Sequence, residues 1–222
     1  MSTDALSGFS GTVRLFPLPN LVLFPHVIQG LHVFEQRYRQ MAADALAGDR
    51  LIAVVMLRPG ADEDAERPGI EQVACVGEII WHEELADGRY NIRLRGLRRA
   101  RIVEEVPTDR PYRTARVELL PETASADLAR LSQLRRDLAA TVLPRFSEGS
   151  PARQQLQELF DGDLPLGEVC DILSYALPLP AELKQSLLAE PRADRRAAAI
   201  TDALRLSAAR ADRPFPPPFS AN

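Results

Sequence analysis

VACVGEIIWHEELADGRYNIRLRGLRRARI, residues 73–102, is the stretch whose reading decides the fold. Asp87-Gly88 in its middle is a strong hairpin signal, because glycine accepts the positive φ that a tight β turn demands. Beyond it Tyr90, Ile92 and Leu94 alternate with Asn91, Arg93 and Arg95, the period-two pattern of a half-buried strand. The spacing predicts strands over 73–83 and 89–97, with further strands over 101–106 and 112–120. Upstream, residues 51–57 (LIAVVML) are a continuous apolar run, read as a strand buried on both faces. Residues 58–69 (RPGADEDAERPG) hold no apolar side chain large enough to anchor them and read as an acidic surface loop.

Nearer the start the period changes. Tyr38, Met41, Ala42, Ala45 and Leu46 fall on one face of a helix running from about Glu35, with Gly48 as its C-cap. Residues 13–16 and 21–24 are short apolar runs punctuated by Pro17, Pro19 and Pro25, which suit short strands. After Pro121 the pattern becomes helical. Ser125 is the expected N-cap of a helix carrying Leu128, Leu131, Leu134, Leu138 and Val142, stopped by Pro144. Residues 166–177 make another apolar helix, and Pro151, Pro180 and Pro191 are read as lying just inside helix starts. The ending, RPFPPPFSAN, is too proline-rich to fold compactly, although Phe215 and Phe219 give it the look of a short linear ligand. A chain that is first strand-rich and then helical reads as α+β, a small barrel or curled sheet followed by a helical lobe.

The 222 residues are 45% hydrophobic and 26% charged, which is ordinary for a globular protein able to bury a substantial core. A formal net charge of −4 disfavours general binding to nucleic acid or to an anionic membrane. Lys184 is the only lysine among many arginines, so arginine as a class earns no functional weight. Cys75 and Cys170 are too few for a secreted disulfide framework, the first residues lack a signal-peptide pattern, and no apolar run is long enough to span a membrane. The expectation is a reducing cytoplasm.

Several ordered stretches resemble one family, the amino-terminal substrate-binding domain of Lon proteases, and are most similar to small standalone members of it. They are LFPLPNLVLFP (15–25), GLHVFEQRYRQM (30–41), VACVGEI (73–79), DGRYNIRLRGLRRARI (87–102), PYRTARVELL (111–120) and LPLPAELKQSLLAEPRADRR (177–196). The similarity runs from about Val13 to Leu206. It implies a PUA-like β pseudo-barrel of short, mostly antiparallel strands over 13–121 and an α-helical bundle lobe over 122–209. Residues 1–12 and 210–222 are then flexible ends. Gly30 stands where many relatives carry proline, and Gln36 replaces another, departures that concern loop stiffness. The resemblance implies a role in recognising unfolded or extended polypeptide, or a protein partner.

Catalytic machinery is missing from the sequence. No G-x-x-x-x-G-K-[ST] loop is present to cradle nucleotide phosphates. Lys184 and Ser186 are two residues apart, so a helix points them to different faces and they make no nucleophile–base pair. His82-Glu83 begins like a zinc helix, but Ala86 stands where the second histidine belongs. No catalytic residue, metal or cofactor is assigned.

The candidate partner-binding residues are Phe24, Pro25, His26, Phe34, Glu35, Arg37, Tyr38 and Trp81, with the groove expected where barrel meets bundle. Each has a plainer reading: Glu35 favours a helix start through the dipole, Tyr38 packs inward, Trp81 packs in a core or between lobes, and Phe24, Phe34, Tyr38, Phe146 and Phe160 form an inter-lobe core. Arg93, Arg95, Arg98 and Arg99, with Arg101, form a candidate basic patch. The plainer reading there is a solvated strand face paired with Glu83, Glu84, Glu104 and Glu105, since aromatic stacking residues are missing beside the arginines and the net charge is negative. The expected function is non-catalytic binding of polypeptide segments, with a small-molecule sensor using a cereblon-like pocket, or a PUA-like RNA binder, as alternatives.

Overall fold

The computed structural model describes residues 5–61, 67–123 and 127–211. Six strands come first: β1 (Thr12–Leu18), β2 (Ile28–Val33), β3 (Leu51–Met56), β4 (Val73–Glu84), β5 (Tyr90–Val106) and β6 (Thr114–Leu119), with helix α1 (Gln36–Leu46) between β2 and β3. Five helices follow: α2 (Leu128–Val142), α3 (Pro151–Asp161), α4 (Leu166–Ala176), α5 (Ala181–Ala189) and α6 (Ala193–Ala211). The fold is α+β. Among the described residues, no helix is long and apolar enough to cross a membrane.

The contacts divide the chain into two units. One takes residues 1–122 and 171–191, and the other takes 123–170 and 192–222, so the boundary passes through α4.

In the first unit the strand order is β2-β5-β4-β3-β1-β6, and an additional β5–β6 pairing bends the sheet back on itself. The β1–β3 pair is parallel and the other pairs are antiparallel. This closure is possible because β5 is long. Its first half pairs with β2 and its second half with β6, while β4 runs beside both. The strands expected at 89–97 and 101–106 are therefore one strand. Inside the ring lie Val13, Leu15, Leu51, Val55, Val76 and Leu97 with their alanine neighbours, and Ala5, Leu6 and Phe9 pack against them from the described part of the amino-terminal segment. All of β3 is buried, as its unbroken apolar run requires.

The run at 21–24 does not form a strand. It is irregular yet buried, and its backbone lies across the sheet where Gly77 pairs with Gly96. A Cβ on Gly96 would sit 2.0 Å from the Phe24 carbonyl oxygen, and one on Gly77 would meet Leu23 at 3.2 Å. His26 N–H donates to the Gly96 carbonyl at 3.0 Å, and Gly96 N–H donates to the Val27 carbonyl at 2.8 Å. Two facing glycines thus make the slot that this coil fills.

In the second unit α2 and α6 pack together. Asp127 caps α2 by accepting from Arg130 N–H at 2.9 Å, whereas Ser125 lies outside the described residues. Ser150 caps α3, with Pro151 as its first residue. Pro180 occupies the N-cap of α5 and Pro191 precedes α6, so neither sits inside a first turn.

Candidate functional site

An apolar cleft of about 400 Å³ opens in the sheet unit. Four short segments build it: the end of β1, the end of β2, the start of α1, and the two residues Leu57 and Pro68 at the roots of the 58–69 loop. Phe16, Pro17 and Leu18 form the β1 wall, which turns away through Pro19 and Asn20, the latter at φ 55°. Leu31 and Val33 face them from β2. Prolines at 17 and 19 remove backbone donors from the β1 side. The β2 side keeps its N–H groups, and β2 pairs only with β5, leaving its second edge without a strand among the described residues.

Tyr38 closes the floor. Its ring centre lies 4.6 Å from that of Phe16, and burial pushes its phenol up from the usual value. The Arg37 guanidinium sits 4.6 Å above the same ring and bonds Glu35 at 2.8 Å, so the charged rim neutralises itself. Glu35 occupies the N-cap of α1, but its side chain makes no cap bond; its carbonyl accepts from Tyr38 N–H and Arg39 N–H. On the far side Pro68 is held through its carbonyl by the Arg113 guanidinium at 2.8 Å, and Arg113 also bonds Glu105 at 2.8 Å. That contact keeps the Glu105 carboxyl below its ordinary range.

The candidate residues separate. Phe34, Glu35, Arg37 and Tyr38 line the cleft, with Phe34 62% exposed. Phe24 and Pro25 are buried, Phe24 with its carbonyl against Gly96, and neither lines the cleft. His26 is exposed at φ 65° and lies outside the cleft. Of the remaining aromatics Phe160 is buried and Phe146 half-buried, both in the second unit. Phe215 and Phe219 fall outside the described residues.

Trp81, 43% exposed, stands on the outer face of the β2–β5–β4 sheet. The Arg93 guanidinium lies 5.2 Å from the centre of its ring, so an aromatic does accompany the arginines. The basic cluster itself does not hold together as one patch. Arg95 pairs with Glu78 at 2.6 Å, and Arg98 is exposed. Arg99 is only 2% exposed: it binds Asp171 through both arms of its fork, one at 3.0 Å, and donates to the Leu188 carbonyl at 2.9 Å. The four glutamates expected as their partners are engaged elsewhere, Glu83 with Asn91, Glu84 with Tyr90, Glu104 with Arg116 and Glu105 with Arg113.

Beside Arg99 and Asp171 lies Cys75, whose thiol burial pushes up to about 12. Such a thiol stays protonated and is no nucleophile. Among the described residues, no group of three or more His, Cys, Asp or Glu is placed to hold a metal ion.

The cleft residues missed in the sequence are mainly apolar: Phe16, Leu18, Leu31, Val33 and Leu57. The prolines of LFPLPN were the available signal, because they remove backbone donors from that wall.

The family described as the ATP-dependent protease La (LON) substrate-binding domain matches residues 12–205. A Lon protease of Trichlorobacter lovleyi is 28% identical over 190 residues, covering 86% of this chain and 23% of the relative. Lon protease 2 of Myxococcus xanthus is 28% identical over 177 residues, covering 78% and 21%. The chain thus spans under a quarter of the length of these relatives. Among solved structures, a Lon N-terminal domain protein from Xanthomonas campestris superposes with TM-score 0.60 at 25% identity, covering 91% of this chain and 99% of that one. The N-terminal domain of a Mycobacterium avium complex Lon protease gives 0.67 at 18% identity, covering 87% and 98%, a likeness of fold alone.

Proposed function

The chain belongs to the Lon substrate-binding domain family, and from that premise we propose that it is a non-catalytic recognition module that holds extended polypeptide segments in the cleft beside β2. The observation that carries this reading is the union of an apolar cleft of about 400 Å³ with a strand edge that no other strand pairs among the described residues. Unfolded chains expose what such a place takes up: apolar side chains, which gain by leaving water, and backbone donors and acceptors, which pair with β2. The proline wall on the β1 side cannot donate, so pairing falls to β2. Ordering a flexible ligand costs much of the interaction, which sets the affinity on the order of micromolar. Two buried free thiols suit the reducing cytoplasm in which we place this role.

Titrating labelled protein with an unfolded model polypeptide tests the reading. Amide shifts are expected along residues 31–38 and at Leu57, and Leu31→Asp should weaken binding at least ten-fold by placing a charge in the apolar cleft. Saturable binding with no shift in these segments, or none at all, would overturn it.

A further inference from the structure

A second opening, of about 450 Å³, lies in the sheet unit and shares no lining residue with the cleft. Strand register makes room for it. β3 and β4 pair as far as Val54 and Cys75, and Leu57 then bridges Ile70. Between those two points stand residues 55–56 on one side and 71–74 on the other, two against four, so the longer side bows outward. Helix α5 meets this bow. Glu182, Gln185 and Ala189, spaced i, i+3 and i+7, turn one helix face to the opening, and Met56 and Val73 line it from the strands. Gln185 is the odd member, a polar side chain only 7% exposed. Its Nε2 donates to the Val73 carbonyl at 2.9 Å, which fixes the amide, because only the nitrogen arm can donate. The other arm, Oε1, is buried and makes no hydrogen bond among the described residues. A buried carbonyl is costly to leave unpaired, and this one belongs to a residue that lines the opening.

We propose that this opening binds a small aliphatic primary amine, whose ammonium group donates to Gln185 Oε1. The inference does not depend on the cleft or on polypeptide binding. Charge selects the sign of the ligand: two carboxylates, Glu71 and Glu182, stand around the opening against one guanidinium, Arg58. An ammonium carries three donors and no acceptor, so it serves Oε1 and a carboxylate together. A carboxylate ligand has no proton to give Oε1 and meets two like charges. Met56, Val73 and Ala189 offer the aliphatic body an apolar surface. Two sources share this chemistry. A plain amine brings positive charge alone, whereas an amino acid adds a carboxylate that pairs with the exposed Arg58.

NMR titration of the full chain with butylamine, norleucine and pentanoate tests this. The two amines should give saturable shifts in the Gln185 side-chain amide and in the backbone amides of 71–73 and 182–189, and pentanoate should give none. Norleucine binding tighter than butylamine, with the gain lost in Arg58→Ala, identifies an amino acid as the ligand. Norleucine binding no tighter identifies a plain amine. Gln185→Met keeps the bulk and removes the acceptor, so amine affinity should fall about ten-fold or more, the scale of a hydrogen bond to a charged group. Glu182→Gln, a change at an exposed position, should weaken the amine by about two- to five-fold, and it decides the matter if Gln185→Met does not fold. Pentanoate binding as well as the amines would overturn the site, as would amine shifts scattered over the acidic surface without saturation. An undiminished affinity in folded Gln185→Met, or no response to either amine, would overturn it equally.

Discussion

Arg93 and Arg99 stand on the same strand, yet the two halves of β5 put them to opposite use. In the first half, between β2 and β4, the outer face meets solvent, and Arg93 lies along it with its charge over Trp81. In the second half Arg99 is enclosed, and its guanidinium is consumed by Asp171, the Leu188 carbonyl and Glu122. One arginine shapes a surface and the other fastens the segment 171–191 to the sheet within the same unit. The difference teaches that a basic run on a strand is not one feature. Each residue acquires its role from what packs against its half.

Asp171→Ala should sharpen this contrast most. It leaves a buried guanidinium without its carboxylate, and the expected loss is about 3–5 kcal/mol in denaturant unfolding. A loss no larger than that of a surface change would mean Arg99 is reached by water. Next comes Gly96→Ala, whose new methyl group collides with the Phe24 carbonyl. The coil at 21–24 must shift, at roughly 1–3 kcal/mol, read as a lowered thermal midpoint. Arg93→Ala is the counterpart on the open half, with stability expected to change by no more than about 1 kcal/mol, the scale of an exposed cation–π contact.

Acidification probes the smallest difference. The Arg113 contact holds the Glu105 carboxyl below its unfolded value. Its contribution is therefore complete above the ordinary carboxylate range and fades as pH falls through the lower folded value. Pro68 should then loosen, weakening peptide binding at acid pH. Glu105→Gln should flatten that part of the pH profile, and an unchanged profile would separate Pro68 from the Arg113–Glu105 pair.

Much of the fold was legible because local chemistry and final structure agree. Asp87-Gly88 marks the β4–β5 hairpin with Gly88 at φ 77°, and the spacing from Tyr38 to Ala45 marks the buried face of α1. The run 21–24 was illegible by periodicity, since four apolar residues look alike as strand or as buried coil. The glycines that distinguish the two lie over fifty residues away, at 77 and 96. Arg99 was hidden similarly. The alternation through Tyr90, Ile92 and Leu94 does not continue past Gly96, and the partner Asp171 was visible only as one of two carboxylates, with Glu168, in the apolar helix at 166–177. For the cleft, the sequence pointed to Phe34–Tyr38 but not to the β1 wall, because cavities are made by residues that tertiary pairing brings together.

The ring also has a history in time. β6 joins β1 at Thr12 and Arg116, a pairing across about a hundred residues. At the ribosome's pace of about 5–20 residues per second, β1 emerges roughly 5–20 s before that neighbour exists. Its parallel partner β3 arrives much sooner, so nascent chains should first gather β1 with β3 and seal the seam late. Chaperone dependence ought then to concentrate in that interval, while the strand that completes the circle is still being made.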